Sequence, residues 1–301
     1  MPASPSSSDA PEINLNSPPI IHNIYSQSTS TWQYVVADRS TGHCIVLDPV
    51  RDRCIDRAAI STIAADAIVS VVQAQGYTVD YILETHAAGP QCLSASWYLR
   101  MQFSALQDEP PQLCDEVTVT SLEAMWRRKY GANNNFSTSI RGGLCDGERL
   151  TFGRLSLTCI HLPGFAAPYR RAYLVDKAIF GAHSIAVLTE EPTNVCLKDL
   201  PESHAKESER HLDAWGSINR ILSLPGDTQL WQDSGDDTAE ERQPLHVSQC
   251  IALNKYAGLS KADFLTRRLA ETQASREQHQ RPPSYKAVSL GSRLGSWIGV
   301  S

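Results

Sequence analysis

The feature that most constrains the fold of this chain is a pattern stated twice: hydrophobic runs paired around a short polar turn, followed by a stretch of helical periodicity. In the first half, Trp32-Gln33-Tyr34-Val35-Val36 and Cys44-Ile45-Val46-Leu47 flank Asp38-Arg39-Ser40-Thr41-Gly42, which reads as a hairpin. Between 57 and 75, Ile60, Ile63, Ala64, Ala67, Ile68, Val71 and Val72 recur at helical spacing, and Gly76 supplies a stop. The run Tyr81-Ile82-Leu83 predicts another strand, and 93–101 another helix.

The second half repeats the theme. Leu150-Thr151-Phe152 and Leu155-Ser156-Leu157-Thr158-Cys159-Ile160 flank Gly153-Arg154, and Tyr173-Leu174-Val175 and Ala178-Ile179-Phe180 flank Asp176-Lys177. A helix is predicted over 204–222, a strand at Gln229-Leu230-Trp231, and two helices within 239–269 broken near Gly258. Helices after each group of strands imply two sheets face to face with helices outside. Trp126-Arg127-Arg128-Lys129 reads as a helix end whose cations suit the negative dipole, and Asn133-Asn134-Asn135 as a loop.

Composition bounds the partners. With 301 residues, 42% of them hydrophobic, the chain can bury a substantial core. A formal net charge of −6 gives no footprint for nucleic acid or an anionic membrane, so a small-molecule ligand or substrate is expected, with a homodimer left open. No window approaches the roughly 20 apolar residues of a membrane span, and a cytoplasmic location is the expectation. Eight scattered cysteines without a C-x-x-C pair read as reduced thiols. The Ser/Pro-rich segment 1–19 is expected to be disordered, with one domain over 20–283 and a tail over 284–301.

Asp48-Pro49-Val50, Gln75-Gly76, Ile82-Leu83-Glu84-Thr85-His86, Asp146-Gly147-Glu148, Leu162-Pro163-Gly164 and Leu224-Pro225-Gly226-Asp227 carry a resemblance. In order and approximate spacing they resemble the metallo-β-lactamase superfamily, in the branch holding persulfide dioxygenases and glyoxalase II, from about Ile20 to Pro283. The resemblance implies an α/β fold, an αββα sandwich of two mixed sheets flanked by helices, with a metal site at one edge of the paired sheets.

Carried over by position, the family's donors are mostly absent. The first histidine of its T-H-x-H-x-D-H motif falls on His86, the second on Ala88, the aspartate on Pro90 and the last histidine on Gln91. The histidine of its P-G-H turn falls on Phe165, the aspartate of its G-D pair on His183, and its last histidine near Ser234. Two histidines and one aspartate on Fe(II), as the resemblance implies for the dioxygenases, would here be His86, Phe165 and His183. Dinuclear zinc loses still more, and metal-bound hydroxide with it.

The expectation is therefore a degenerate member of the fold with no cofactor, acting either as a metal-independent acid–base catalyst on a small, specialised-metabolite-like substrate or as a pseudoenzyme that binds. The alternative is a family-type hydrolase or dioxygenase with a rebuilt Fe(II) or Zn site. His86 and His183 are the candidate catalytic groups. Tyr169, Arg170, Arg171, Phe165 and Gln91 are the candidate substrate contacts, the two arginines at the pocket mouth to grip a carboxylate unless they merely start a solvated strand. For a metal, His86, His183 and Asp233 are the weak candidates; Asp233 sits with Asp236 and Asp237 in a run that also reads as a plain loop.

Overall fold

The computed structural model describes residues 17–51, 61–86, 93–114, 140–141, 143–165, 170–188, 204–235, 237–238 and 243–280. The first sheet has the order β1-β2-β3-β5-β7-β8, where β1 is Ile20–Ser26, β2 Thr31–Ala37, β3 His43–Leu47, β5 Thr78–Leu83, β7 Gln112–Cys114 and β8 Ile140–Arg141. β1, β2 and β3 are antiparallel neighbours, whereas β3, β5, β7 and β8 run parallel. The second sheet has the order β14-β13-β12-β11-β10-β9, built from β9 Arg149–Phe152, β10 Leu155–His161, β11 Arg171–Val175, β12 Ala178–Phe180, β13 Gln229–Leu230 and β14 Leu245–His246. Here only β12 and β13 are parallel. A two-stranded ribbon pairs β4 Val50–Arg51 with β6 Leu93–Ser94.

Side-chain alternation, with period two along a strand, assigns the layers. Tyr34, Val36, Ile45 and Leu47 of the first sheet meet Leu157, Tyr173, Val175 and Phe180 of the second in one buried cluster between the sheets. Their neighbours Val35, Ala37, Cys44 and Val46 face the other way, onto α1 (Ile63–Gln75) and α2 (Ser96–Ser104) through Ile68, Val72, Leu99 and Phe103. The outer face of the second sheet, with Ile160, Ala172, Ile179 and Leu230, packs on α3 (His183–Ala186), α4 (His204–Leu222), α5 (Val247–Leu253) and α6 (Lys261–Gln280). The result is helix, sheet, sheet, helix, as expected.

Both hairpin strands of the first half and all four of the second form, α4 has the expected bounds, and Gly76 closes α1 in the left-handed region at φ 65°. The differences have local causes. The second helix begins at Ser96 rather than 93, because the backbones of Leu93 and Ser94 pair with Arg51 and Val50. Residues 245–246 are a strand on β13 before α5 starts, and α6 runs on to Gln280 past the expected end. β1 was not legible because it lies half-buried along its length with no clean alternation. The expectations for 1–16, 52–60, 126–135 and 284–301 fall outside the described residues. Five cysteines among the described residues are free, as expected, and no helix among those residues is long and apolar enough to cross a membrane.

Candidate functional site

The carboxyl ends of the parallel strands β3 and β5, and of β12 and β13, bring four turns to one edge of the sandwich, the place where open sheets of this kind take ligands. The turn after β3 holds Asp48 at φ 51°, a left-handed conformation costly for a non-glycine residue. Its N–H donates to the Leu83 carbonyl at 2.9 Å, which fixes the carboxylate beside the turn that follows β5.

That second turn is Glu84-Thr85-His86, and Asp48 organises it. The Thr85 N–H donates to Asp48 Oδ1 and the Thr85 hydroxyl to Oδ2, each at 2.7 Å. Thr85 Oγ1 also lies 3.0 Å from His86 Nδ1. Because the hydroxyl proton is spent on the carboxylate, the imidazole must be the donor in that contact. In the neutral ring that contact puts the proton on Nδ1 and the lone pair of the half-buried His86 on Nε2. The second sheet braces the turn: the Tyr173 hydroxyl donates to the Glu84 carbonyl at 3.0 Å and the Arg171 N–H to the Thr85 carbonyl at 2.7 Å. Glu84 Oε1 accepts from the hydroxyls of Ser94 and of Ser96, the latter at 2.6 Å. Gly181, at φ 79°, makes room for this packing, since a Cβ there would stand 2.5 Å from Thr85 Cβ.

A second polar cluster forms from β11, β12 and β13. Arg170 Nη2 donates to Asp233 Oδ2 at 2.6 Å and to Ser184 Oγ at 2.8 Å. The Ser184 hydroxyl donates to Asp233 Oδ2 at 2.7 Å and its N–H to Oδ1 at 3.0 Å. His183 Nδ1 is 3.9 Å from Asp233 Oδ1, and its Nε2 has no hydrogen-bond partner although the residue is only 6% exposed. The turn after β13 is held to the first sheet by the Trp32 N–H on the Asp233 carbonyl at 3.2 Å and the Tyr34 hydroxyl on the Gln232 carbonyl at 2.6 Å.

The electrostatics follow from burial. Burial pushes the Asp48 carboxyl up, against the opposing pull of the His86 charge, the two Thr85 donors and Arg170. The Tyr34 hydroxyl is driven well above its usual range by burial and by the nearby Asp233 and Asp48 carboxylates, so both clusters border one tyrosine. Burial lowers His183 below the usual histidine value, and Asp233 only partly offsets this, so the ring is neutral near pH 7.

Of the residues singled out in the sequence, the structure joins Arg170 and Asp233 and sets His183 beside them, while His86 belongs to the Asp48 cluster. Arg170 and Arg171 are 7% and 4% exposed, so neither starts a solvated strand; the carboxylate that Arg170 grips is internal. Asp233 is likewise no plain loop residue. Phe165 is buried in the cluster under α4. Gln91, Tyr169 and Asp236 lie outside the described residues. Asp48, Thr85 and Ser184 went unrecognised as site residues; an aspartate directly after a strand, and the threonine before His86, were the available signals.

A two-sheet sandwich flanked by helices, with polar turns gathered at the carboxyl edge, defines a class that comparison narrows further. The chain is 30% identical over 262 residues to the β-lactamase hydrolase-like protein of Agrobacterium fabrum, covering 84% of this chain and 56% of that one. It is 23% identical over 206 residues to glyoxylase B2 of Dictyostelium discoideum, covering 67% and 65%. Its fold matches that of ETHE1 from Myxococcus xanthus with a TM-score of 0.56 at 15% identity, covering 88% of this chain and 92% of that one. No protein-family profile matches the sequence. The chain has the metallo-β-lactamase fold, and in sequence it is related to β-lactamase hydrolase-like proteins. It spans about half the length of the β-lactamase hydrolase-like relatives it matches, 56% and 46% of the first two.

The metal this family implies does not fit the described residues at this edge. Among the described residues no three histidine, cysteine, aspartate or glutamate side chains are grouped to hold an ion. A phenyl ring, Phe165, stands where the resemblance puts the histidine of the P-G-H turn, and Asp233 accepts hydrogen bonds on both oxygens, from Arg170 and Ser184. Alanine at 88 and proline at 90 have no donor to offer.

Proposed function

We propose that the protein is a hydrolase-like metallo-β-lactamase-fold protein that works without the family's metal centre, as an acid–base catalyst on a small organic substrate. The observation that carries this reading is the chain from Asp48 through the Thr85 hydroxyl to His86 Nδ1, which orients the ring and, when it is neutral, puts its basic lone pair on Nε2. A proton taken by Nε2 makes an imidazolium, whose charge the Asp48 carboxylate stabilises through Thr85. Returning that proton to a different substrate atom, or to a leaving hydroxyl, gives an isomerisation, dehydration, cyclisation or lyase step. The buried, neutral His183 contributes a hydrogen-bonding nitrogen rather than a charge. A small-molecule partner and a cytoplasmic location complete the reading, in line with the net charge of −6.

The test is deuterium incorporation in D2O, in the presence of EDTA, into a panel of enolisable and β-hydroxycarbonyl compounds. Wild-type protein is expected to exchange at least one of them, with His86→Ala losing about 10²-fold or more and Thr85→Val about tenfold. Loss of exchange on adding chelator, or exchange indifferent to His86→Ala, contradicts the reading.

A further inference from the structure

Arg170 is a charged side chain in a place where burial should forbid one. Its side chain is 6% exposed, that of Asp233 5%, and they meet at 2.6 Å just before β11, at the edge where the family resemblance puts a metal. A carboxylate taken this far out of water costs several kcal/mol unless a positive charge and hydrogen bonds compensate it. Asp233 has both: Arg170 and the Ser184 hydroxyl on Oδ2, and the Ser184 N–H on Oδ1. A divalent ion is the other common way to compensate such a group, and the two solutions compete, because the guanidinium already supplies the positive charge and repels a second cation at the same carboxylate.

We propose that Arg170 is a built-in cation that keeps this centre free of metal, by holding the one carboxylate that would serve as a co-ligand to His183. The inference rests on the metal-independent reading above and names the residue responsible for it. His183 is the telling neighbour. Its Nδ1 stands 3.9 Å from Asp233 Oδ1, and its Nε2 is buried without a partner. Without the guanidinium, an uncompensated carboxylate and an imidazole would lie side by side. That pair of oxygen and nitrogen donors attracts a divalent cation.

The test uses the full chain and Co2+, followed by calorimetry and visible absorbance, in wild type, Arg170→Ala and Arg170→Ala/His183→Ala. Wild type is expected to take no Co2+ at this site. Arg170→Ala should take one equivalent at least tenfold more tightly than wild type, and the second substitution should abolish the gain. A folded Arg170→Ala that gains nothing overturns the proposal, as does wild type binding Co2+ through His183. Should Arg170→Ala not fold, Arg170→Met keeps the packing of the stem and replaces it. Excess Co2+ should leave the wild-type thermal midpoint unchanged, and an upward shift that His183→Ala removes overturns the role given to Arg170. Native metal bound at the site would sink the metal-independent reading itself, whereas a folded, metal-free Arg170→Ala sinks only this role.

Discussion

His183 shows how far one residue's chemistry depends on a neighbour distant in the chain. Burial lowers its folded value below the 6.5 of an exposed histidine, so in an acidifying solution the unfolded chain takes up the proton first. The stability it contributes is present above about pH 6.5 and is lost as pH falls through the folded value. Asp48, pushed up by burial, titrates with the opposite sign, so the comparison must be made against a variant that removes only the histidine. The unfolding free energy of wild type relative to His183→Gln should fall between pH 7 and pH 5 in denaturant titrations. A rise over that interval contradicts the buried, neutral imidazole. His86, His183, Arg170 and Asp233 could be picked out of the sequence as donors and charges. That Arg170 would pair with a carboxylate 63 residues away, or Thr85 with one 37 residues away, could not, because such pairing is decided by strand order.

At the scale of elements, the two halves of the site are positioned by turns whose close contacts only glycine allows. Gly164, at φ 92° in the Pro163-Gly164 turn, presses on α4: a Cβ there would stand 2.2 Å from the Ala214 nitrogen and 2.6 Å from the Arg210 carbonyl oxygen. Neither contact is a flexible side-chain tip that could swing aside. Gly164→Ala combines an unfavourable backbone conformation with overpacking and should cost roughly 2–5 kcal/mol. A fall of about 5–15 °C in the thermal midpoint is expected. An unchanged midpoint would mean that the turn and α4 are not packed as described. Hairpins and long helices were legible because turn chemistry and periodicity are local; α4 is the clearest case. β6 and β14, two residues each, were not, since so short a strand has no period and exists only through its partner.

For the whole molecule, three buried layers hold one edge at which two carboxylates meet different fates. Asp48 orients a histidine through a threonine, and Asp233 is neutralised by an arginine. The sandwich could be inferred from the repeated hairpin and helix pattern together with the motif order, and the solved structures share its fold. The expectation that metal donors are missing came from the sequence, since alanine, proline and phenylalanine at the positions the resemblance matches offer no lone pair to an ion. What replaced them was hidden, because a substitute cation has no fixed position in the family's motifs. The central claim is that this edge works through its own side chains and holds no resident metal. It is tested most directly by elemental analysis of wild-type protein purified without added metal or chelator. Iron and zinc well below one equivalent per chain are expected; a full equivalent of either that disappears in both His86→Ala and His183→Ala would contradict the claim.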